Sequence, residues 1–121
     1  METVAQVYSI DEGNEPNWLL LGETIEGEAP DDVFGFSMLL SGDGNILAVG
    51  APYNTNGAGH VRMYHMEETD GPKWAQIRED INGDTTGKHL GLSVLLSSDG
   101  MTVAMGSSLG GNGNLGLVCV Y

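Results

Sequence analysis

The chain has 121 residues, of which 17 are acidic and 4 are basic, and its formal net charge is −13. This charge disfavours binding to nucleic acid, since neutralising phosphates requires clustered lysine and arginine, and it also disfavours an anionic membrane surface. A single cysteine excludes an intramolecular disulfide framework, and apolar residues at 40% allow a packed core in one small domain.

Short strands are predicted along the whole chain, each an apolar or alternating run bounded by glycine, asparagine or aspartate. The first two are the alternating run 4–8 and the tryptophan-bearing run 18–21. Next come two apolar runs, 36–41 and 46–50, joined through Asp43-Gly44, which is a strong hairpin signal. The other predicted strands are 61–64, 74–77, 92–97, 102–106 and 117–121. No window has helical periodicity, so the sequence predicts an all-β fold.

The chain repeats itself with a period of 56 residues. Between 4–50 and 60–106, 16 of 47 positions are identical. The matches include Trp18 with Trp74, and the repeated tryptophan predicts packing between units. Four short antiparallel strands in a unit of this length are typical of a β-propeller blade. The sequence therefore predicts an incomplete propeller of about two blades.

The predicted organisation is one repeat region that begins and ends within a blade. Its parts are two outer strands in 1–33, a full blade in 34–86 and three strands in 87–121, together covering 1–121. Closed propellers need about four to eight blades, so two interpretations stay open. Identical chains could close a ring, or the chain is a piece of a longer propeller or docks on one. Strands 4–8 and 117–121 are equivalent in the repeat, and this redundancy favours the second interpretation.

The run from Phe34-Gly35 to Ala48–Pro52 resembles the FG-GAP repeat of integrin-α-like β-propellers. The second unit departs from that pattern, because Leu90-Gly91 replaces Phe-Gly and Gly106-Ser107-Ser108 replaces Gly-Ala-Pro. The resemblance covers nearly the whole chain, from about Val4 to Tyr121. It implies a propeller fold and an extracellular or cell-surface location, although the acidic start of the chain lacks the features of a signal peptide.

Calcium-binding members of that family carry four oxygen ligands in the loop between the first two strands of a blade. In this sequence the four positions are Leu39, Ser41, Asp43 and Leu47 in one unit, and Leu95, Ser97, Asp99 and Val103 in the next. Two of the four are apolar in both units, so we expect no metal and no other cofactor. Asp43 and Asp99 are interpreted as turn residues, with Gly44 and Gly100 supplying a positive φ.

The sequence predicts a binding function and no catalytic one. His60, His65 and His89 have no metal-ligand spacing, and no catalytic pair stands out, so a non-catalytic role is expected. The first hypothesis is a module for protein–protein interaction or assembly, which binds a protein partner or other copies of itself through exposed edge strands. The alternative is carbohydrate binding by asparagines in the loops, although turn chemistry also explains them. These candidate site residues are Asn54, Asn56, Asn112 and Asn114.

Overall fold

The computed structural model describes residues 3–15, 17–83 and 88–107, and the backbone of 117–120. The strands are β1 (Val4–Ala5), β2 (Tyr8–Asp11), β3 (Asn17–Leu20), β4 (Ile25–Glu26), β5 (Ser37–Leu40), β6 (Ile46–Ala51), β7 (His60–Glu67), β8 (Lys73–Asn82), β9 (Ser93–Leu96), β10 (Val103–Ser107) and β11 (Leu117–Val120). A 3-10 turn at Pro30–Asp32 and a single-turn helix α1 at Asn54–Gly57 lie between strands. The strands pair antiparallel throughout these sheets, which confirms the all-β prediction.

The largest sheet has four strands in the order β5-β6-β7-β8, and it follows chain order without a crossover. A three-stranded sheet, β9-β10-β11, repeats the first three strands of that unit. At the start of the chain, β2 pairs with β3 and β1 pairs with β4. The predicted first strand 4–8 is thus divided between β1 and β2, while the second predicted strand, 18–21, lies one residue later than β3.

The four-stranded sheet is the middle of three layers. Strand β6 is an almost unbroken apolar run because both of its faces are covered, and Ala48 and Val49 are fully buried on opposite faces. One face packs on the segment before β5, and this core contains Ala5, Val7, Ile25, Phe34, Leu47, Val49, Ala51, Tyr64 and Trp74. The other face packs on β9 and β10, and this second core contains Ala48, Val61, Leu90, Val94, Val103 and Met105.

The two Asp-Gly turns have the same hydrogen bonds. The Ser41 hydroxyl donates to Asp43 at 2.7 Å and the Ser97 hydroxyl donates to Asp99 at 2.7 Å. Each aspartate also accepts from the backbone N–H two residues later, at 3.0 Å in the first turn and 2.9 Å in the second. These backbone donors, and then the serines, hold the pKa of both carboxyl groups below the usual range. The predicted turn role of both aspartates is confirmed.

Neighbouring units approach each other backbone to backbone. A Cβ added to Gly50 would lie 2.2 Å from the carbonyl oxygen of Gly91, so no larger residue fits there without displacing the next unit. The Ser37 hydroxyl donates to the same Gly91 oxygen at 2.7 Å. Ser37 begins β5 and Gly91 precedes β9, so this contact sets how one unit stacks on the next.

Candidate functional site

Trp74 is the tryptophan of this repeat that is packed in the core. Its side chain is 6% exposed and lies in the core between β8 and the segment before β5. The indole Nε1–H donates to the Leu21 carbonyl at 3.0 Å, so the ring is fixed in orientation as well as buried. Close by, Tyr64 meets Phe34 edge to face, with ring centroids 6.5 Å apart. The predicted packing of tryptophan between units is confirmed for Trp74.

The same positions one unit earlier are exposed. We define the N-terminal face as the side chains of Tyr8, Trp18 and Met38, which have equivalents in the next unit at Tyr64, Trp74 and Val94. The exposed fractions are 49% for Tyr8 against 5% for Tyr64, 65% for Trp18 against 6% for Trp74, and 42% for Met38 against 7% for Val94. In the described structure nothing covers this face in the way that Val7, Leu21 and Ile25 cover Trp74. The predicted packing of Trp18 is therefore wrong within one chain.

The far side of the last unit is also open. Leu95 in β9 is 67% exposed, whereas its equivalent Leu39 in β5 is half-buried against β9. We define the C-terminal face as Leu95 and Ser93, which is also exposed. Both ends of the described array thus carry exposed side chains where the internal copies are covered.

Beside this face lies a cavity of about 380 Å³, here called the outer cavity. It opens between β8 and the turn that joins β9 to β10, and it is mostly apolar apart from Arg78 and Glu79 at its edge. Its lining residues are Ile46, Met63, Ile77, Arg78, Glu79, Ile81, Gly100, Met101 and Val103. Met101 at this turn is 80% exposed, so one of the apolar side chains that line the cavity is largely exposed to solvent.

A polar cluster ties β7 and β8 to the segment before β5. Arg62 binds Asp80 through two hydrogen bonds, Nε to Oδ1 at 2.7 Å and a terminal nitrogen to Oδ2 at 2.7 Å. The same terminal nitrogen lies 2.5 Å from Glu28 Oε1. The hydrogen bonds with Arg62 hold the pKa of Asp80 below its usual range, and the pairing with Asp80 raises the pKa of Arg62. Arg62 therefore pairs with two carboxylates from different layers.

His60 lies under this cluster. It is 1% exposed, and neither ring nitrogen has a hydrogen-bond partner among the described residues. Burial lowers the pKa of His60, so the neutral imidazole is favoured, and Nδ1 lies 3.9 Å from Asp80 Oδ2. Ligand atoms of Glu28, His60 and Asp80 lie within 4.8 Å of one another, close enough for a metal ion. Arg62 already pairs with both of these carboxylates. The chain itself therefore supplies a positive charge beside them, in the role that a metal ion would otherwise have.

Sequence reasoning missed this cluster. Its members come from a loop, β7 and β8, and Arg62 lies opposite Asp80 at the bulge where the register of β7 with β8 shifts. No short motif links the three segments, so neither spacing nor the 56-residue repeat could have indicated it.

The predicted glycan-binding asparagines do not form one group in the described structure. Asn54 is buried, and its amide donates to Asp32 at 2.7 Å and to Glu28 at 3.1 Å. Asn56 is exposed and has a φ of 55°, which asparagine tolerates better than most residues. Asn112 and Asn114 lie outside the described residues. Of the four, Asn56 is the one whose side chain the structure shows facing solvent.

Among the residues that the structure describes, no helix has the length and apolar character needed to cross a membrane. Comparison with known proteins finds no family model that matches the chain and no significant match among curated proteins.

Proposed function

We propose that the chain is a non-catalytic β-propeller repeat module whose role is protein–protein assembly. The observation that carries this proposal is the contrast in exposure between equivalent side chains, most clearly Trp18 at 65% and Trp74 at 6%. The internal copy is buried because another unit stacks on it. A further unit that stacks on Trp18 would bury it in the same way. Assembly would therefore cover the side chains that one chain leaves exposed.

The arrangement of layers supports the propeller form of this proposal. One four-stranded antiparallel sheet lies between parts of two similar units, and the strand order follows the chain in this sheet and in β9-β10-β11. Propellers are built by stacking such units face to face around an axis, and each unit buries its apolar faces only against its neighbours. The resemblance to the FG-GAP repeat adds independent support, and with it we propose an extracellular or cell-surface setting.

The mass of the purified chain in solution, measured by light scattering over a wide range of concentration, tests this function. We expect a mass that rises above the 12.8 kDa of one chain, because burial of both faces favours association. Electron micrographs of the associated form should show rings when the units close, or filaments when they do not. A folded chain that keeps the mass of one copy at every concentration would contradict assembly by this chain alone.

Carbohydrate binding is the second candidate function, and it rests on the loop asparagines. Asn56 has the exposed side chain that such a role requires. Strong binding of the folded, single-copy chain to a glycan array, lost on Asn56→Ala, would favour this function over assembly.

A further inference from the structure

We propose that Trp18 of one copy inserts into the outer cavity of a second copy, so that the chain associates head to tail. This inference rests on the proposed assembly function and names its partner and its central contact. The chain carries both halves of the contact: an exposed tryptophan on the N-terminal face and an open apolar cavity beside the C-terminal face.

The packed tryptophan provides the template. Trp74 is packed in a core that includes Val7, Leu21, Ile25 and Leu47. Moving each of these four positions forward by 56 residues gives Met63, Ile77, Ile81 and Val103, and all four line the outer cavity. The cavity is thus the place that the tryptophan of a following unit occupies. Trp18 is the tryptophan of this repeat that has no such place in its own chain.

The polar contact follows from the same equivalence. Trp74 donates its indole N–H to the carbonyl of Leu21, whose equivalent is Ile77. In the associated form Trp18 donates to the Ile77 carbonyl of the second copy. A tryptophan that is buried with its N–H satisfied combines a large apolar contact with one directional bond, which is typical of residues that dominate interfaces.

One lining position changes from glycine to a charged residue between the two sites. Gly22 contacts Trp74 in the internal site, and its equivalent in the outer cavity is Arg78; both have positive φ, 74° and 59°. A Cβ on Gly22 would lie 3.1 Å from Trp74 Cδ1, so the Cβ of Arg78 moves the incoming indole outward by a few tenths of an ångström. The guanidinium at the edge of the cavity is then placed to interact with the face of the ring.

The other contacts between the N-terminal face and the C-terminal face also follow from the internal interface by a shift of 56 residues. In the internal interface Val94 lies in the core between the units, and the Ser37 hydroxyl donates to Gly91. The equivalent contacts between copies bring Met38 of one copy to the C-terminal face of the other. The Ser93 hydroxyl there donates to the Gly35 carbonyl of the incoming copy. One repeated interface therefore covers all the exposed side chains of both faces.

The charge distribution favours this orientation. Residues 1–59 carry ten acidic residues and no basic one, whereas the remainder carries seven acidic and four basic residues. A head-to-head contact would bring two strongly acidic regions together. A head-to-tail contact places the acidic region of one copy against the region that holds every arginine and lysine, including Arg78.

The association also requires a movement. Strand β11 and the segment 4–7 are equivalent in the repeat, so an incoming copy places 4–7 where β11 of the accepting copy lies. Strand β11 is the edge strand of its sheet and pairs with β10 over four residues. The incoming segment replaces this pairing with an equivalent one, so the exchange keeps the number of strands in the sheet.

Mixing two variants of the full chain tests the inference. Trp18→Ala removes the inserting side chain and Ile77→Asp places a charge in the cavity, so each variant retains one functional half. By light scattering, each variant alone should associate about thirtyfold or more weakly than the wild type, as expected for the loss of an interface-dominating tryptophan. An equimolar mixture should form a dimer with one copy of each, because a single intact interface remains.

Controls separate the contact from the fold. Leu19→Ala changes an exposed apolar residue on the opposite face of β3 and should associate as the wild type does. Arg78→Asp alters the edge of the cavity without touching either core, and it should also weaken association; it replaces Ile77→Asp in the mixture if circular dichroism shows that variant to be unfolded. Association of the wild type that Trp18→Ala leaves unchanged, or a mixture that forms no dimer, would overturn the inference and leave the assembly function standing. A wild type that never associates would overturn both.

Discussion

Replacement of Trp74 by alanine is expected to lower the free energy of unfolding by about 3–5 kcal/mol. The indole is 6% exposed and lies in the core that joins β8 to the segment before β5. Its removal leaves a large void between two layers that have little freedom to close it, because the backbones of Gly35 and Val4 already touch there: a Cβ on Gly35 would lie 2.9 Å from the Val4 carbonyl oxygen. The Leu21 carbonyl also loses its donor. Urea unfolding followed by circular dichroism measures the change.

The matched control is the same substitution one unit earlier. Trp18→Ala removes a side chain that is 65% exposed, so its effect on unfolding should stay within about 0.5 kcal/mol at concentrations where the chain is a single copy. The two variants have identical chemistry at equivalent positions, and they differ in whether another unit covers the ring. Equal losses of stability in both would mean that Trp18 is packed in solution, which would contradict its exposed position in β3.

Replacement of Arg62 by methionine is expected to destabilise the fold by about 2 kcal/mol at neutral pH, between the values for exposed and for buried ion pairs, because the Arg62 and Asp80 side chains are 12% and 18% exposed. Methionine keeps most of the aliphatic volume but leaves Asp80 without its two guanidinium hydrogen bonds. Glu28 is half exposed and regains water, so Asp80 accounts for most of the loss. The double variant Arg62→Met/Asp80→Leu should recover much of it, because the carboxylate that water reaches least is removed and the remaining one, Glu28, is half exposed.

The pH dependence of this effect has a definite sign. Asp80 has a folded-state pKa below its ordinary value of 3.8, chiefly because of the hydrogen bonds from Arg62. Its pairing therefore contributes stability that is present above that value and is lost as the pH falls through the folded pKa. The difference in stability between the wild type and Arg62→Met should shrink in acid. A difference that stays constant from neutral to acidic pH would show that lost packing, not lost charge pairing, causes the effect.

The strands and hairpins could be predicted because their signals are local. Asp43-Gly44 and Asp99-Gly100 lie between apolar runs, and each aspartate makes its turn with its own neighbours. Helix α1 was not predicted because it is a single turn in a loop rich in asparagine and glycine, with Thr55 and Asn56 both at positive φ. Strand β8 extends to Asn82, well beyond the predicted 74–77, because its pairing with β7 continues past a bulge.

The exposure of the two tryptophans could not be predicted from the sequence. Trp18 and Trp74 occupy the same position of the repeat, so any local pattern treats them alike. Each tryptophan is buried only where a neighbouring unit covers it. Burial therefore depends on how the layers stack and not on the local sequence. The same reasoning applies to Arg62, Glu28 and Asp80, since their contacts depend on how one layer meets the next.

Hydroxyl-radical footprinting at low and high protein concentration tests the central claim most directly, because it reports side-chain exposure residue by residue. In the proposed assembly, the end faces are versions of the internal interface whose partner is missing. We predict that in dilute solution Trp18 and Met38 are oxidised several times faster than Trp74 and Met105, and that Trp18 and Met38 become protected as the chain associates. Trp18 and Met38 that stay equally reactive in the associated form, or that are already protected in the single copy, would contradict the account.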